Sequence, residues 1–197
     1  GLKNGTTTVT GRLQTVETQV TATVELPEGE TMAAISEYPE KWTMNQLGGT
    51  SLAISAYEQG LKFAYTGNGV GRGAYIQGEA SIRLWSMPKA LRFSVNPGDA
   101  TVKRLSLTFT NGAGKTYPAV NVTTDEMAKN TVSTFELPLE SVIDINDVSN
   151  YPLTVNAIRM DLGKSDKGKA YELLMPEFKA VYNTYGSVET LNAEASS

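Results

Sequence analysis

The chain has 197 residues, of which 40% are hydrophobic and 19% charged, and its formal net charge is −4. This composition indicates a folded domain and excludes a disordered chain, and no apolar run approaches the roughly 20 residues that a membrane span requires. The chain contains no Cys and no His, which excludes thiol and imidazole catalysis and the usual zinc ligands. No run of Lys or Arg forms a basic stripe, so nucleic acid is not an expected partner.

The chain is predicted to divide into three parts. Residues 6–26 carry Thr and Val at mostly even spacing, which predicts two strands of a hairpin or of a short Ig-like remnant. The segment Pro27-Glu28-Gly29 then interrupts the pattern. We therefore expect an N-terminal β extension over residues 1–30, a β-sandwich over 31–185 and a polar tail over 186–197. Because the first residue is Gly, we expect a trimmed chain that lacks a signal or upstream domains.

Residues 81–110 show a two-residue period three times, with turn chemistry between the repeats. One parity is apolar and comprises Ile82, Leu84, Leu91, Phe93, Val95, Leu105, Leu107 and Phe109. The other parity is polar and comprises Arg83, Arg92, Ser94, Arg104, Ser106 and Thr108. The alternation predicts three consecutive strands with a dry face and a wet face.

Similar short strands recur through the rest of the main region, about eight to ten in all, at turn spacings of roughly 8 to 12 residues. No stretch has the pattern of an amphipathic helix. The predicted fold class is therefore all-β, a jelly-roll β-sandwich with a short N-terminal Ig-like β extension.

Two glycine-rich segments have the composition of phosphate-binding loops. Residues 67–73 contain four glycines, but no helix follows them, so we expect a sharp turn or a close backbone approach. Residues 112–116 resemble the end of a P-loop, yet Phe109 stands where that motif requires its first Gly. Tyr117-Pro118 also prevents the helix that should follow. A β-turn is the favoured interpretation.

The carboxylates offer few candidates for chemistry. Asp144, Asn146 and Asp147 could present oxygens to calcium, but the loop lacks the Gly and the terminal Glu of an EF-hand, which favours a plain loop. Glu177, on the last strand beside Pro176, is a candidate ligand of a structural calcium ion, with a solvated carboxylate as the alternative. No other cofactor is expected. No spacing indicates a pair of catalytic acids, so we expect no enzyme activity.

Aromatic and arginine side chains near turns are the candidate ligand-binding residues. An exposed ring can stack against the C–H groups of a sugar while planar polar groups bind its hydroxyls. Trp85 has the parity of the wet face, and Trp42 is predicted in a loop. The alternative is that the rings cap the ends of the sandwich. The six candidates are Trp85, Tyr75, Arg72, Arg83, Trp42 and Tyr117.

Five segments carry a resemblance to a known family. They are Leu-Lys-Phe-Ala-Tyr at 61–65, Gly-Arg-Gly-Ala-Tyr-Ile at 71–76, Pro-Lys-Ala-Leu-Arg-Phe at 88–93, Ala-Ile-Arg-Met at 157–160 and Glu-Phe-Lys-Ala-Val-Tyr at 177–182. Over residues 42–182 the chain resembles the galactose-binding-like jelly-roll modules that accompany phosphodiester glycosidase domains of secreted bacterial proteins. The resemblance implies a non-catalytic sandwich that binds glycan or packs against a catalytic domain, and it carries no active-site residues over.

These observations lead to one expected function and two alternatives. We expect a carbohydrate-binding accessory module that is secreted, periplasmic or on the cell surface, with glycan as its ligand and a catalytic domain in the same polypeptide as a further partner. The first alternative is a structural spacer that packs against that domain. The second is a carboxylate-based glycosidase.

Overall fold

The structure is a computed structural model that describes residues 5–13, 16–24, 30–32, 41–84, 88–182 and 189–190. The chain forms two compact units, one of Gly1–Gly29 with Asn183–Ser197 and one of Glu30–Tyr182. The predicted division placed these borders at residues 30 and 185. The predicted break at residues 27–29 lies outside the described residues, as does the predicted tail apart from residues 189–190.

The smaller unit contains the hairpin predicted from the Thr and Val pattern. Strands β1 (Gly5–Leu13) and β2 (Val16–Val24) pair antiparallel from Gly5 opposite Val24 to Leu13 opposite Val16. The two-residue strand β14 (Glu189–Thr190) pairs parallel with β1. A strand therefore lies within the segment predicted as a polar tail.

The larger unit consists of two antiparallel sheets. The first has five strands, in spatial order β10 (Val120–Thr123), β9 (Val102–Thr110), β12 (Leu153–Leu162), β7 (Tyr75–Leu84) and β4 (Lys41–Met44). The second has six strands, in order β11 (Ser133–Pro138), β8 (Ala90–Asn96), β13 (Ala170–Val181), β6 (Gly60–Gly67) and β5 (Gly49–Tyr57), with β3 (Glu30–Met32) also paired to β13. Successive strands from β6 to β9 alternate between the sheets, and the predicted jelly-roll β-sandwich is confirmed.

The core lies between the two sheets and is built from the apolar parity that the sequence predicts. All eight apolar residues of the 81–110 pattern are buried, at 5% exposure or less. Phe93 of β8 and Phe178 of β13 stack with ring centroids 4.3 Å apart. Burial of such rings is the main source of stability in a sandwich of this kind.

The polar parity of residues 81–110 differs from the prediction in two respects. The three strands do not share one wet face, because β7 and β9 belong to the five-stranded sheet and β8 to the six-stranded sheet. Ser94 and Ser106 are buried, at 5% and 6% exposure. Ser94 tolerates burial because its hydroxyl donates to the Glu177 carboxylate at 3.0 Å.

Helical structure in the described residues is limited to short 3-10 helices at Leu139–Ser141 and Val148–Asn150. Within the described residues, no helix is both long enough and apolar enough to cross a membrane.

Candidate functional site

A cleft of about 530 Å³ lies at one end of the five-stranded sheet. It forms where β9 begins, where β12 ends and where the loop before β7 meets the loop after β12. Its lining residues are Gly71, Arg72, Gly73, Ala74, Lys103, Arg104, Arg159, Asp161, Leu162 and Lys164. Half of these residues are cationic and one is anionic.

Glycines allow the two loops of the cleft to meet backbone to backbone. A Cβ atom on Gly71 would lie 2.4 Å from the backbone N of Lys164, and one on Gly67 would lie 2.4 Å from the carbonyl oxygen of Asp166. Gly73 has a φ of +75°, which favours glycine. Both the close approach and the sharp turn expected for residues 67–73 are therefore present, and they place Arg72 beside Lys164.

Asn45, in the loop after β4, binds the backbone at Tyr75, the first residue of β7. The amide of Asn45 accepts a hydrogen bond from the Tyr75 backbone N–H at 3.0 Å and donates one to the Gly73 carbonyl at 2.5 Å. Asn45 therefore fixes the turn that leads into the strand on which Tyr75 lies.

Asp161 joins two arginines on the outer face of the sheet. Arg104 of β9 lies directly opposite Asp161 in the strand register, and its Nε donates to Asp161 Oδ2 at 2.7 Å. The Nη2 of Arg104 donates to the same oxygen. Arg159 lies two residues before Asp161 on β12, and its Nε donates to Oδ1 at 2.7 Å. One carboxylate thus orients both guanidinium groups.

The guanidinium group of Arg159 packs on the aromatic ring of Tyr75. Its guanidinium carbon lies 3.8 Å from the centroid of the Tyr75 ring. A guanidinium plane over a tyrosine face is attracted by the ring quadrupole and loses rotational freedom. The Nη atoms of Arg159 form no hydrogen bond among the described residues, and Arg159 lines the cleft.

Three further cations complete the cleft. Arg72, Lys103 and Lys164 are all exposed. Within the described part of the chain they form no ion pair, unlike Arg104 and Arg159.

Of the six residues predicted to bind a ligand, the structure brings Arg72 and Tyr75 to this cleft, Arg72 as a lining residue and Tyr75 through Arg159. Arg83 is exposed at the opposite end of β7, eight residues from Tyr75, or about 26 Å at the rise of a strand. Trp85 lies outside the described residues.

Tyr117 lies outside the cleft and is half-buried. Its hydroxyl donates to the side-chain oxygen of Asn150 at 2.7 Å, beside the turn at residues 111–115. That turn follows the end of β9 and therefore lies at the end of the sheet opposite the cleft. The five candidates among the described residues are therefore distributed over several places rather than one site.

The predicted loop position of Trp42 is wrong. Trp42 lies in β4, is 9% exposed and packs edge to face against Phe63 of the six-stranded sheet, with ring centroids 4.6 Å apart. The ring faces the core because β4 pairs with β7 at the sheet edge and turns alternate residues inward. In this position it has no open face for a ligand.

Glu177, the candidate calcium ligand, is engaged by its neighbours. One carboxylate oxygen accepts from the Ser94 hydroxyl, and the other lies 2.9 Å from Lys179 Nζ. Among the described residues no group of three or more acidic side chains is placed to hold a metal ion. Calcium at Glu177 stays a prediction.

The acidic loop at residues 144–147 serves turn structure. Asp147 caps the second 3-10 helix by accepting from the Ser149 backbone N–H at 2.9 Å, and Asp144 accepts from the Asn146 N–H at 2.9 Å. The hydrogen bond from Ser149 stabilises the charged carboxylate and lowers the pKa of Asp147 below its ordinary value. This geometry matches the plain-loop interpretation.

Comparisons with known proteins give likeness at the level of structure only. No protein-family model matches the chain, and no curated protein matches it in sequence. A family 11 carbohydrate-binding module from Clostridium thermocellum, solved with a β-1,3-1,4-mixed-linked tetrasaccharide, has 14% identity and a TM-score of 0.46, over 82% of this chain and all of the module. The xylan-binding module CBM15 has 14% identity and a TM-score of 0.44, over 81% of this chain and all of the module.

A third solved structure is of a different kind. A chain of infectious bursal disease virus has 12% identity and a TM-score of 0.42, over 81% of this chain and 33% of the viral chain. Folds of this kind carry unrelated functions, so likeness at this level assigns no ligand.

Proposed function

We propose that the chain is a non-catalytic carbohydrate-binding module whose glycan lies in the cleft between residues 71–74, 103–104 and 159–164. The observation that carries the proposal is the pair of arginines fixed at the cleft by Asp161 and Tyr75. A site whose donors are held in place before the ligand arrives binds more tightly, because less conformational entropy is lost on binding.

The size and chemistry of the cleft suit an oxygen-rich ligand. Its volume of about 530 Å³ falls within the range of about 300–1,000 Å³ that is usual for ligand sites. Guanidinium groups present several N–H donors in one plane and can bind neighbouring sugar hydroxyls together.

The composition of the cleft supports a binding role rather than glycoside hydrolysis. Asp161 is the one carboxylate among the lining residues, and it is committed to two arginines. Glycoside hydrolysis ordinarily uses two carboxyl groups that flank the scissile bond. The proposal therefore assigns no catalytic residue.

The proposal includes a biological setting. The module acts as an accessory to a glycan-processing enzyme, secreted, periplasmic or at the cell surface, with a catalytic domain in the same polypeptide. The resemblance to modules that accompany phosphodiester glycosidases supports this setting.

Glycan-array screening of the intact chain, followed by calorimetry on the hits, tests the proposal. We expect binding to at least one class of glycan, with loss of binding in Arg159→Ala. Arg92→Ala is the matched control, because Arg92 is also an ion-paired arginine on an outer sheet face. It lies 3.0 Å from Glu136, and both residues belong to the six-stranded sheet, away from the cleft. If the folded chain bound no glycan, the proposal would fail and the spacer alternative would replace it. If both variants lost binding equally, the cleft would not be the glycan site, and this part of the proposal would fail.

A further inference from the structure

The lining of the cleft is far more basic than the chain as a whole. Five of its ten residues are Lys or Arg, whereas the whole chain contains 17 such residues among 197 and has a net charge of −4. These cations come from three separate segments, at residues 71–74, 103–104 and 159–164, which is why no basic run is visible in the sequence. The fold brings these positive charges together at the cleft.

The outer face of the opposite sheet shows the contrasting arrangement. There Lys62 pairs with Glu172 at 3.2 Å, Arg92 pairs with Glu136 at 3.0 Å, and Lys179 pairs with Glu177 at 2.9 Å. Each of these cations has its own carboxylate, whereas in the cleft one carboxylate serves two arginines. The remaining positive charge of the cleft is not compensated by its lining.

From this imbalance we infer that the ligand of the cleft is an anionic glycan, whose carboxylate or sulfate groups contact Arg72, Lys103, Arg104, Arg159 and Lys164. The inference rests on the proposed function and names its ligand class. Cations gathered in a cleft repel one another and attract an anion.

The two oriented arginines fit this ligand class in geometry as well as in charge. Arg104 directs Nε and Nη2 at Asp161, and Arg159 directs Nε. The other N–H groups, at Nη1 of Arg104 and at both Nη atoms of Arg159, have no hydrogen-bond partner among the described residues. Planar N–H forks match the two oxygens of a carboxylate or sulfate and form short charge-assisted hydrogen bonds.

The cleft favours a glycan over a single-stranded nucleic acid. Binding of single strands relies on aromatic faces on which bases stack. No aromatic residue is among the lining residues, and the nearby Tyr75 ring has one face covered by Arg159.

Calorimetry with matched ligand pairs tests the inference. One pair is oligogalacturonate and the same oligomer with its carboxylates methyl-esterified, and the other is dextran sulfate and dextran. Within each pair the backbone is shared and the charge differs. We expect at least about tenfold tighter binding of a charged form, weakening when sodium chloride rises from about 50 to about 200 mM. The pair that shows this difference tells whether carboxylate or sulfate is the group recognised.

Variants locate the interaction. Arg72→Gln with Lys164→Gln removes two exposed, unpaired charges without breaking an ion pair among the described residues, so the fold should remain intact. We expect about tenfold weaker binding of the charged glycan. Lys89→Gln is the matched control, because Lys89 is exposed beside Val181, at the opposite end of β13 from the cleft, and we expect its affinity to be unchanged.

The outcomes separate the inference from the proposed function. Equal affinity for the charged and uncharged forms would overturn the inference and leave glycan binding in place. If no glycan bound, both would fall. If an oligothymidylate bound more tightly than the charged glycan and the double variant abolished this binding, the ligand would be a nucleic acid. If inorganic sulfate alone competed as well as the charged glycan, the cleft would be a simple anion site. Both of these results overturn the inference.

Discussion

The guanidinium carbon of Arg159 lies 3.8 Å from the centroid of the Tyr75 ring, across the boundary between β12 and β7. The two residues are not directly opposite in the register, since Tyr75 faces Asp161 and Arg159 faces Gln77. The contact is therefore diagonal, which long and aromatic side chains can bridge in a sheet. It ties the arginine that faces the cleft to the first residue of a different strand.

Replacing Tyr75 tests the importance of this contact. Tyr75→Leu removes the ring face and should weaken ligand binding about twofold to fivefold, the equivalent of a cation–π contact of about 0.5–1 kcal/mol. Tyr75→Phe keeps the ring and should retain most of the affinity. Calorimetry with the best ligand from the glycan screen measures both variants, and equal losses in the two would show that the ring face is not what matters.

Asp161 is predicted to stabilise the folded chain as well as to orient the arginines. Asp161→Asn leaves Arg104 and Arg159 without their shared carboxylate. Because their side chains are 46% and 36% exposed, solvent screens the loss and we expect it to be about 1 kcal/mol. Urea unfolding measures it, with Glu126→Gln, an exposed carboxylate elsewhere, as the control. Equal stability of the two variants would contradict the assigned role.

The contact between the two loops of the cleft leads to a third prediction. Gly71→Ala places a methyl group against the Lys164 backbone, so one loop must move, at a cost of about 1–3 kcal/mol and with weaker ligand binding. Gly114→Ala also strains the backbone, since its φ is +82°, but it lies at the other end of the sheet. Thermal unfolding and calorimetry should show lower stability in both variants and lower affinity in Gly71→Ala alone. Unchanged affinity in Gly71→Ala would exclude a role for the loop contact in binding.

The alternation of side chains determines what the sequence could predict. Leu105, Leu107 and Phe109 occupy the buried parity of β9, as expected, because period-two burial is a local property of a strand. The burial of Trp42 was harder to predict, because β4 has only four residues and its alternation is short. Its alternation with Met44 was the available signal.

The cleft depends on information that no local pattern contains. Lys103 and Arg104 are separated by more than 50 residues from Arg159, Asp161 and Lys164, and they meet because β9 and β12 are neighbours in the sheet. Several strand orders are compatible with the same alternation, so these residues could not be grouped in advance. The sequence pattern could predict only that Arg104 lies on the polar face of its strand, because Arg104 has the polar parity of residues 81–110.

Acid pH should destabilise the chain partly through Asp147. Its pKa is lowered by the hydrogen bond from Ser149, so the folded state binds a proton less readily than the unfolded state. The stabilisation is present above the ordinary pKa of about 4 and is lost as pH falls through the lower folded pKa. Unfolding free energy measured against pH should fall less steeply below about pH 4 in Asp147→Asn than in the wild type. Identical slopes would contradict this role.

Asp99 should contribute to the same slope independently. Its pKa is lowered first by a hydrogen bond from Asn130 and then by Lys169. The two carboxylates share no partner, so the changes in slope for Asp99→Asn and Asp147→Asn should add in the double variant. A double variant that matched either single variant would show that the two sites are coupled.

The central claim is that an anionic glycan binds in the cleft, and residue-specific NMR titration tests it most directly. Addition of the charged glycan should shift the backbone amides of residues 71–75, 103–104 and 159–164 and the Nε–H signals of Arg104 and Arg159. The uncharged partner of the pair should produce smaller shifts at the same positions. Shifts confined to the turn at residues 111–115, or to the outer face of the six-stranded sheet, would contradict the claim.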